Sequence, residues 1–227
     1  MSKISIIIPT INEANNLPLL LSDLSIIQKQ GEIIIVDGGS KDKTIDVANI
    51  YGAKVYKSKE RNRGLQLDMG AKEAKGDWFI FLHADIRLTH DWFRKINSVL
   101  KGDKNYIYYF KFKINNKKII FRVLEFLVNL RSKFLRQPYG DQGLMIHRTT
   151  YFKNNGFRKI PLMEDVDFLR RLKNKKDLKQ LNLPIFISSR KWERTNIFLQ
   201  ALKNWNFRRR WLKGESTESI YSDYYKK

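Results

Sequence analysis

Short apolar, β-branched runs alternate along the first ninety residues with stretches whose apolar positions recur every three or four residues. The runs Ile4–Ile8, Glu32–Val36, Lys54–Tyr56 and Trp78–Leu82 predict strands. Between them the spacing predicts helices over about Asn15–Gln30, about Lys41–Tyr51 after a cap at Ser40, and about Gly64–Lys75 ending at Gly76. Strand, helix, strand in this order is the signature of a parallel sheet with right-handed crossovers. Beyond Asp85 the pattern loosens. It predicts a helix over about Asp91–Leu100, a strand at Ile107–Ile114 and an apolar helix over about Ile119–Leu135. A loop through Gln137, Pro138, Tyr139 and Gly140 leads to a strand at Leu144–His147, a helix over about Asp165–Asn174, a strand at Ile185–Ser188 and a basic, aromatic helix over about Asn196–Leu212.

At 227 residues and 42% hydrophobic content, the chain can bury one sizeable core. The expectation is therefore a single α/β domain over residues 1–213, with a sheet-building half (1–90), a second half (91–213) and a loose tail (214–227). Cysteine is absent, which excludes disulfides and thiolate metal sites and leaves carboxylate, imidazole or substrate oxygen as metal ligands. The apolar N-terminal run is too short for a signal peptide, and no stretch reaches the roughly 18 to 20 apolar residues of a spanning helix. These features predict a cytoplasmic protein, with attachment to the inner face of the membrane left open.

Charge separates the two halves of the chain. Residues 1–100 carry 14 Lys+Arg against 12 Asp+Glu, so of the totals of 44 and 23 the remaining residues hold 30 against 11. A basic second half attracts nucleic acid, anionic lipid or phosphorylated substrates, or serves solubility alone.

Ligands of an open parallel sheet bind beyond the carboxyl ends of its strands, and those positions are polar here. The first strand delivers Pro9, Thr10, Asn12 and Glu13; the second Asp37, Gly38, Gly39 and Ser40; the fourth His83, Ala84 and Asp85. Asp37 followed by two glycines suits a base or ribose approaching the backbone, although an acid and a serine there also cap a helix. Asp85 suits a hard divalent cation whose shell is completed by substrate phosphates. His83 is a second ligand, a phosphate contact or a structural histidine. Glu164, Asp165 and Asp167 open a predicted helix, where acids complement the macrodipole; three in four residues exceed that need, and one of them suits a general base.

These segments together resemble the family 2 glycosyltransferases. SIIIPTINEANNL (5–17), VDGGSKDKT (36–44) and LHAD (82–85) stand where that family has its opening loop, its second loop and its metal motif. RNRGLQLDMGAKEAKGDWFIFLHADIRL, GDQGLMIHR, IPLMEDVDFLRRL and SSRKWER resemble a compact bacterial subfamily. The resemblance implies a nucleotide-diphospho-sugar transferase (GT-A type) sandwich with a mostly parallel sheet. It implies an inverting, metal-dependent transfer of a sugar, by default from a UDP-hexose, to an acceptor hydroxyl.

By position, the resemblance places Pro9, Thr10, Glu13, Asp37 and Gly38 around the donor, with Arg63, His83 and Ala84 beside them. It places Mn or Mg on Asp85, the catalytic base on Asp165 with Glu164 next to it, and Gln142, Arg190, Trp192 and Arg194 on the acceptor side. Two positions depart from the family: His83 stands where an acid is common, and Asp68 where asparagine is. The helices over Ile119–Leu135 and Ile197–Leu212 combine Trp, Phe and Leu with Arg and Lys, as interfacial helices do, which points to a lipid or lipid-linked acceptor; packing on the sheet with basic outer faces is the other reading. A nucleic-acid module explains the charge but not the clustered acids, and a nucleotidyltransferase lacks its glycine-rich loop here. A catalytically weak nucleotide-binding relative remains the alternative to the enzyme.

Overall fold

The computed structural model describes residues 3–27, 30–172, 174, 177–189 and 197–225. Eight strands form one sheet: β1 Ile4–Thr10, β2 Gly31–Asp37, β3 Lys54–Lys57, β4 Trp78–Phe81, β5 Ile86–Leu88, β6 Ile107–Ile114, β7 Leu144–His147 and β8 Leu178–Ile187, in the order β3-β2-β1-β4-β7-β6-β8-β5. β1 pairs in parallel with β2 and β4, and β2 with β3. β7 runs antiparallel between β4 and β6; β6 and β8 are parallel; and β5 closes the far edge antiparallel to β8. Six of the eight strands thus share one direction. This is the mostly parallel α/β sheet that the sequence predicts.

The helices are α1 Leu17–Leu24, α2 Thr44–Ile50, α3 Arg63–Glu73, α4 Trp92–Asn97, α5 Ile119–Phe134, α6 Arg148–Lys153, α7 Glu164–Arg171, α8 Ile197–Leu212 and α9 Thr217–Tyr225. Alternate residues of the strands feed two layers. Ile4, Ile6, Ile8, Ile33 and Ile35 pack with Leu20 and Leu24 of α1 and with Trp92 and Ile96 of α4. Ile7, Ile34, Val36, Phe79 and Phe81 face Leu67 and Ala71 of α3, Tyr151 of α6 and Phe168 of α7. Burial on both faces is why these strands read as continuous apolar runs rather than alternating ones. α5 seats Phe121 on Phe112, Ile114 and Ile187 at the β6–β8 end.

Several elements differ from the sequence expectation. α1 ends at Leu24 and gives way to a 3-10 turn at Ser25–Ile27. α2 starts at Thr44, not after Ser40, because the Ser40 hydroxyl donates to Asp37. β5, with three residues, is too short to show a period. α6 is rich in β-branched and aromatic residues, and it forms because Tyr151 is buried. β8 runs on N-terminally from the expected Ile185 to Leu178, through Lys179, Gln180, Asn182 and Pro184; the strand absorbs these by a register shift opposite Tyr109–Lys111. The tail, expected to be loose, contains α9. It folds back because Arg210 on α8 pairs with Glu215 and, at 2.7 Å, with Asp223, while Ile220 is buried and Arg61 lies 4.4 Å over the Tyr225 ring.

Candidate active site

The carboxyl ends of β1 and β2 form a tightly hydrogen-bonded shelf. Asp37 is 1% exposed. One of its oxygens accepts from the Thr10 hydroxyl at 3.0 Å and from the Ser40 hydroxyl; the other accepts from the Gly39 and Ser40 amides at 3.0 and 2.8 Å. Gln66 on α3 donates from Nε2 to the carbonyls of Thr10 (3.0 Å) and Val36 (2.7 Å), tying the two strand ends together. A Cβ at position 38 would come within 3.1 Å of this amide, which is why glycine suits the position. The loop after β1 is laced to the loop after β2: the Asn12 amide donates to Ser40 Oγ, the Lys41 amide to Asn12 Oδ1 and the Glu13 amide to Thr44 Oγ1, each at 2.8 Å. Pro9 is the one partly exposed residue of β1.

His83, Ala84 and Asp85 follow β4, next to β1 in the sheet. Burial lifts the Glu13 carboxyl above its ordinary range; Asn16 pulls it down, and the nearby charges of Asp85 and Asp42 push it up further. Negative charge thus accumulates at this edge, which a cation would relieve. Among the described residues, no group of three or more His, Cys, Asp or Glu side chains is arranged to hold a metal. Asp85 carries the hard oxygen donor that suits a Mg- or Mn-type ion, whose shell would have to be completed from outside the protein. The described residues do not form a self-sufficient metal cage.

The opposite wall is built by α7 and the 137–143 loop. Met163 adopts the left-handed conformation (φ 66°) immediately before α7, a strained choice for a residue other than glycine and of a kind that gathers at functional sites. Glu164 and Asp165 follow with different fates. Glu164 is buried and forms a two-pronged ion pair with Arg63 at the start of α3, through Nε and, at 3.0 Å, through Nη2. Burial pushes the Glu164 carboxyl up against the pull of Arg63, while Glu164 and Asp165 together hold the Arg63 guanidinium firmly charged despite its own burial.

Asp165 instead accepts from the Gly140 amide at 2.6 Å and the Val166 amide at 2.7 Å. It lines a cleft together with His83, Tyr139 and Gly140. A Cβ at position 140 would sit 3.0 Å from His83 Nε2 and 3.3 Å from Asp165 Oδ2. Gly140 therefore sits between His83 and Asp165, and any side chain there would crowd both.

Residues 5–164 match the profile of glycosyl transferase family 2. The chain belongs to this family. Among curated relatives, a PGL/p-HBAD biosynthesis glycosyltransferase of Mycobacterium bovis is 39% identical over 89 residues, covering 36% of this chain and 34% of the relative. The cholesterol galactosyltransferase of Borreliella burgdorferi is 24% identical over 198 residues, covering 75% of this chain and 55% of that protein. The chain thus spans only a third to about a half of the length of these relatives. In fold it is similar to the glucosyl-3-phosphoglycerate synthase of Mycobacterium tuberculosis, crystallised with Mg2+ and UDP, at a TM-score of 0.59 and 18% identity, covering 81% of this chain and 70% of that one.

For this family 2 glycosyltransferase, the structure brings Thr10, Asp37 and Gly38 to one shelf, Glu13 and Asp85 into one electrostatic neighbourhood, and His83 and Asp165 to one cleft. Arg63, expected beside the donor, is committed to Glu164. Gln142, expected on the acceptor side, is fully buried: its Oε1 accepts from the Ser132 hydroxyl at 2.6 Å and its Nε2 donates to the Phe110 carbonyl at 3.3 Å, so it shapes the loop from inside. Asp68, the second departure from the family pattern, pairs with Lys72 on the same helix at 2.7 Å. Arg190, Trp192 and Arg194 lie outside the described residues.

Sequence reasoning missed two residues. Gln66 gave one signal, a polar residue four positions before Gly70 on the face of α3 that meets the sheet. Arg131 gave none: it stacks 3.8 Å over Tyr139, with its Nε and Nη2 buried and without a hydrogen-bond partner among the described residues. Burial works against its charge, and Asp141 and Asp165 offset that in part. Among the described residues, no helix is long and apolar enough to cross a membrane.

Proposed function

We propose that this glycosyltransferase binds a nucleoside-diphosphate sugar, by default a UDP-hexose, on the shelf of Pro9, Thr10, Glu13, Asp37 and Gly38, and transfers the sugar with inversion to an acceptor hydroxyl. The observation that carries this reading is the division of labour at the start of α7. Glu164 is consumed by Arg63, whereas Asp165 lines the cleft and is held in direction by two backbone amides.

In the reaction, Asp165 takes the proton from the acceptor hydroxyl as that oxygen forms its bond to the anomeric carbon. The bond from this carbon to the diphosphate oxygen breaks on the opposite face, and its electron pair leaves with the nucleoside diphosphate. A divalent ion held by Asp85, when bound, offsets the charge of the departing diphosphate. Glu164 positions Arg63 and so joins α3 to α7. Gly140 spares His83 and Asp165 the crowding that a side chain there would cause. The named activities of the relatives, on cholesterol in one case, together with the apolar lining of the cleft, support a lipid or lipid-linked acceptor.

Thermal stability with UDP, GDP and TDP, each with and without Mn, tests the donor half, because a ligand of the folded state raises its stability. A rise with one nucleotide that depends on metal is expected. No rise with any of the three would sink the donor reading and favour a non-catalytic relative.

A further inference from the structure

α5 is apolar on two opposite faces. The inner face carries Phe121, Leu124 and Val128 onto the sheet. The outer face carries Ile119, Val123, Phe126, Leu127, Leu130 and Phe134 in steps of three and four, and leaves them open: Ile119 is 80% exposed, Phe126 64% and Phe134 72%. A contiguous exposed apolar stripe of this kind marks a surface that meets something apolar. α8 repeats the arrangement with Leu199, Leu202 and Trp205, each at least half exposed, and with Arg209 over the Trp205 ring at 5.5 Å. The two helices meet at the cleft: Arg131 of α5 and Arg208 of α8 both stack on Tyr139, at 3.8 and 5.6 Å, and Tyr139 lines the cleft beside Asp165.

The surroundings decide what covers the stripe. Lys117, Lys118, Arg122 and Lys133 are exposed around it, within a half of the chain that carries 30 Lys+Arg against 11 Asp+Glu. A second copy would bring like charge against like charge, which opposes association. An apolar stripe flanked by cations complements one common surface: the headgroup and upper acyl region of an anionic bilayer.

We infer that the outer face of α5, with α8 beside it, docks this protein on an anionic lipid bilayer and sets the mouth of its cleft at the membrane surface. The inference deepens the lipid-acceptor half of the proposed function and rests on it only for what the bilayer supplies. Docking itself needs neither nucleotide nor turnover, so the two readings fail separately.

The test is flotation of the full chain, without nucleotide, with vesicles of phosphatidylcholine and phosphatidylglycerol or of phosphatidylcholine alone. Co-flotation with the anionic vesicles at low salt is expected, with binding at least about tenfold weaker on neutral ones. Phe126→Asp combined with Leu130→Asp should reduce anionic binding about tenfold or more while melting near the wild-type temperature. Lys118→Glu with Lys133→Glu alters only exposed charges and should also weaken it, which keeps the test sound if the first variant misfolds. Wild-type protein left at the bottom of the gradient, equal flotation of both variants, or equal binding to neutral vesicles would overturn the inference. So would a wild-type dimer that the Phe126→Asp/Leu130→Asp variant splits into monomers, because that would assign the stripe to a second copy.

Discussion

The shelf at β1 and β2 and the helical flank formed by α5 and α8 handle polar and apolar groups in opposite ways. On the shelf every acid has an assignment: Asp37 takes four hydrogen bonds, Gln66 bridges two strands, and the loops after β1 and β2 hold each other. In the first hundred residues, large apolar side chains are exposed only singly among the described residues, at Leu19, Ile26 and Ile50. On the flank the exposed polar groups around α5 are largely lysines and arginines, and the exposed apolar side chains gather in stripes. The difference teaches that one part of the molecule is preorganised for a small, rigid ligand, while the other is a surface suited to a soft, extended one.

The comparison can be broken at graded strengths. Asp165→Asn should lower turnover by about 10²- to 10⁴-fold while leaving nucleotide-induced stabilisation in place; a variant that turns over like wild type would remove Asp165 as the base. Phe121→Ala and Phe126→Ala, five residues apart on one helix, should differ sharply in denaturant melts. The first should cost about 3 kcal/mol and the second stay within about 0.5 kcal/mol. Similar losses for both would mean that the outer face of α5 is packed after all.

Glu164→Gln should cost on the order of 2 kcal/mol. That is less than the roughly 3–5 kcal/mol of a fully buried pair, because the Arg63 side chain keeps 29% exposure. Restoration by an added Arg63→Met would identify the unpaired cation as the cause. Asp37→Asn should cost least on the shelf, about 1–2 kcal/mol, through weakened loop hydrogen bonds. It should also shrink the thermal shift given by the nucleotide; an undiminished shift would place the nucleotide elsewhere.

The sheet was legible because β1, β2 and β4 are buried on both faces and leave unbroken apolar runs, and because β6 and β7 are bounded by turn residues. β8 was half hidden because its polar residues sit where a bulge, not a regular ladder, receives them. α9 was hidden because the salt bridges that hold it reach from Arg210 to Glu215 and Asp223, a pairing that composition does not reveal. In the site, the acids at strand ends were legible by position alone. What was not legible was allegiance: nothing in the sequence says that Arg63 pairs with Glu164, or that Gln142 is buried. The first pairing is set by the approach of α3 to α7 across 101 positions of chain, the second by the seating of the 137–143 loop against Ser132 of α5 and Phe110 of β6.

The two edges of the sheet bear on how the protein behaves at high concentration. β3 is four residues long with an exposed lysine at each end, and β5 is three residues long with Arg87 engaged by Asp23 at 2.7 Å. Short, charged edges discourage strand-to-strand growth between molecules. Precipitates of this protein should therefore form through its helical flank and disperse in mild detergent, without the spectroscopic signature of fibrils.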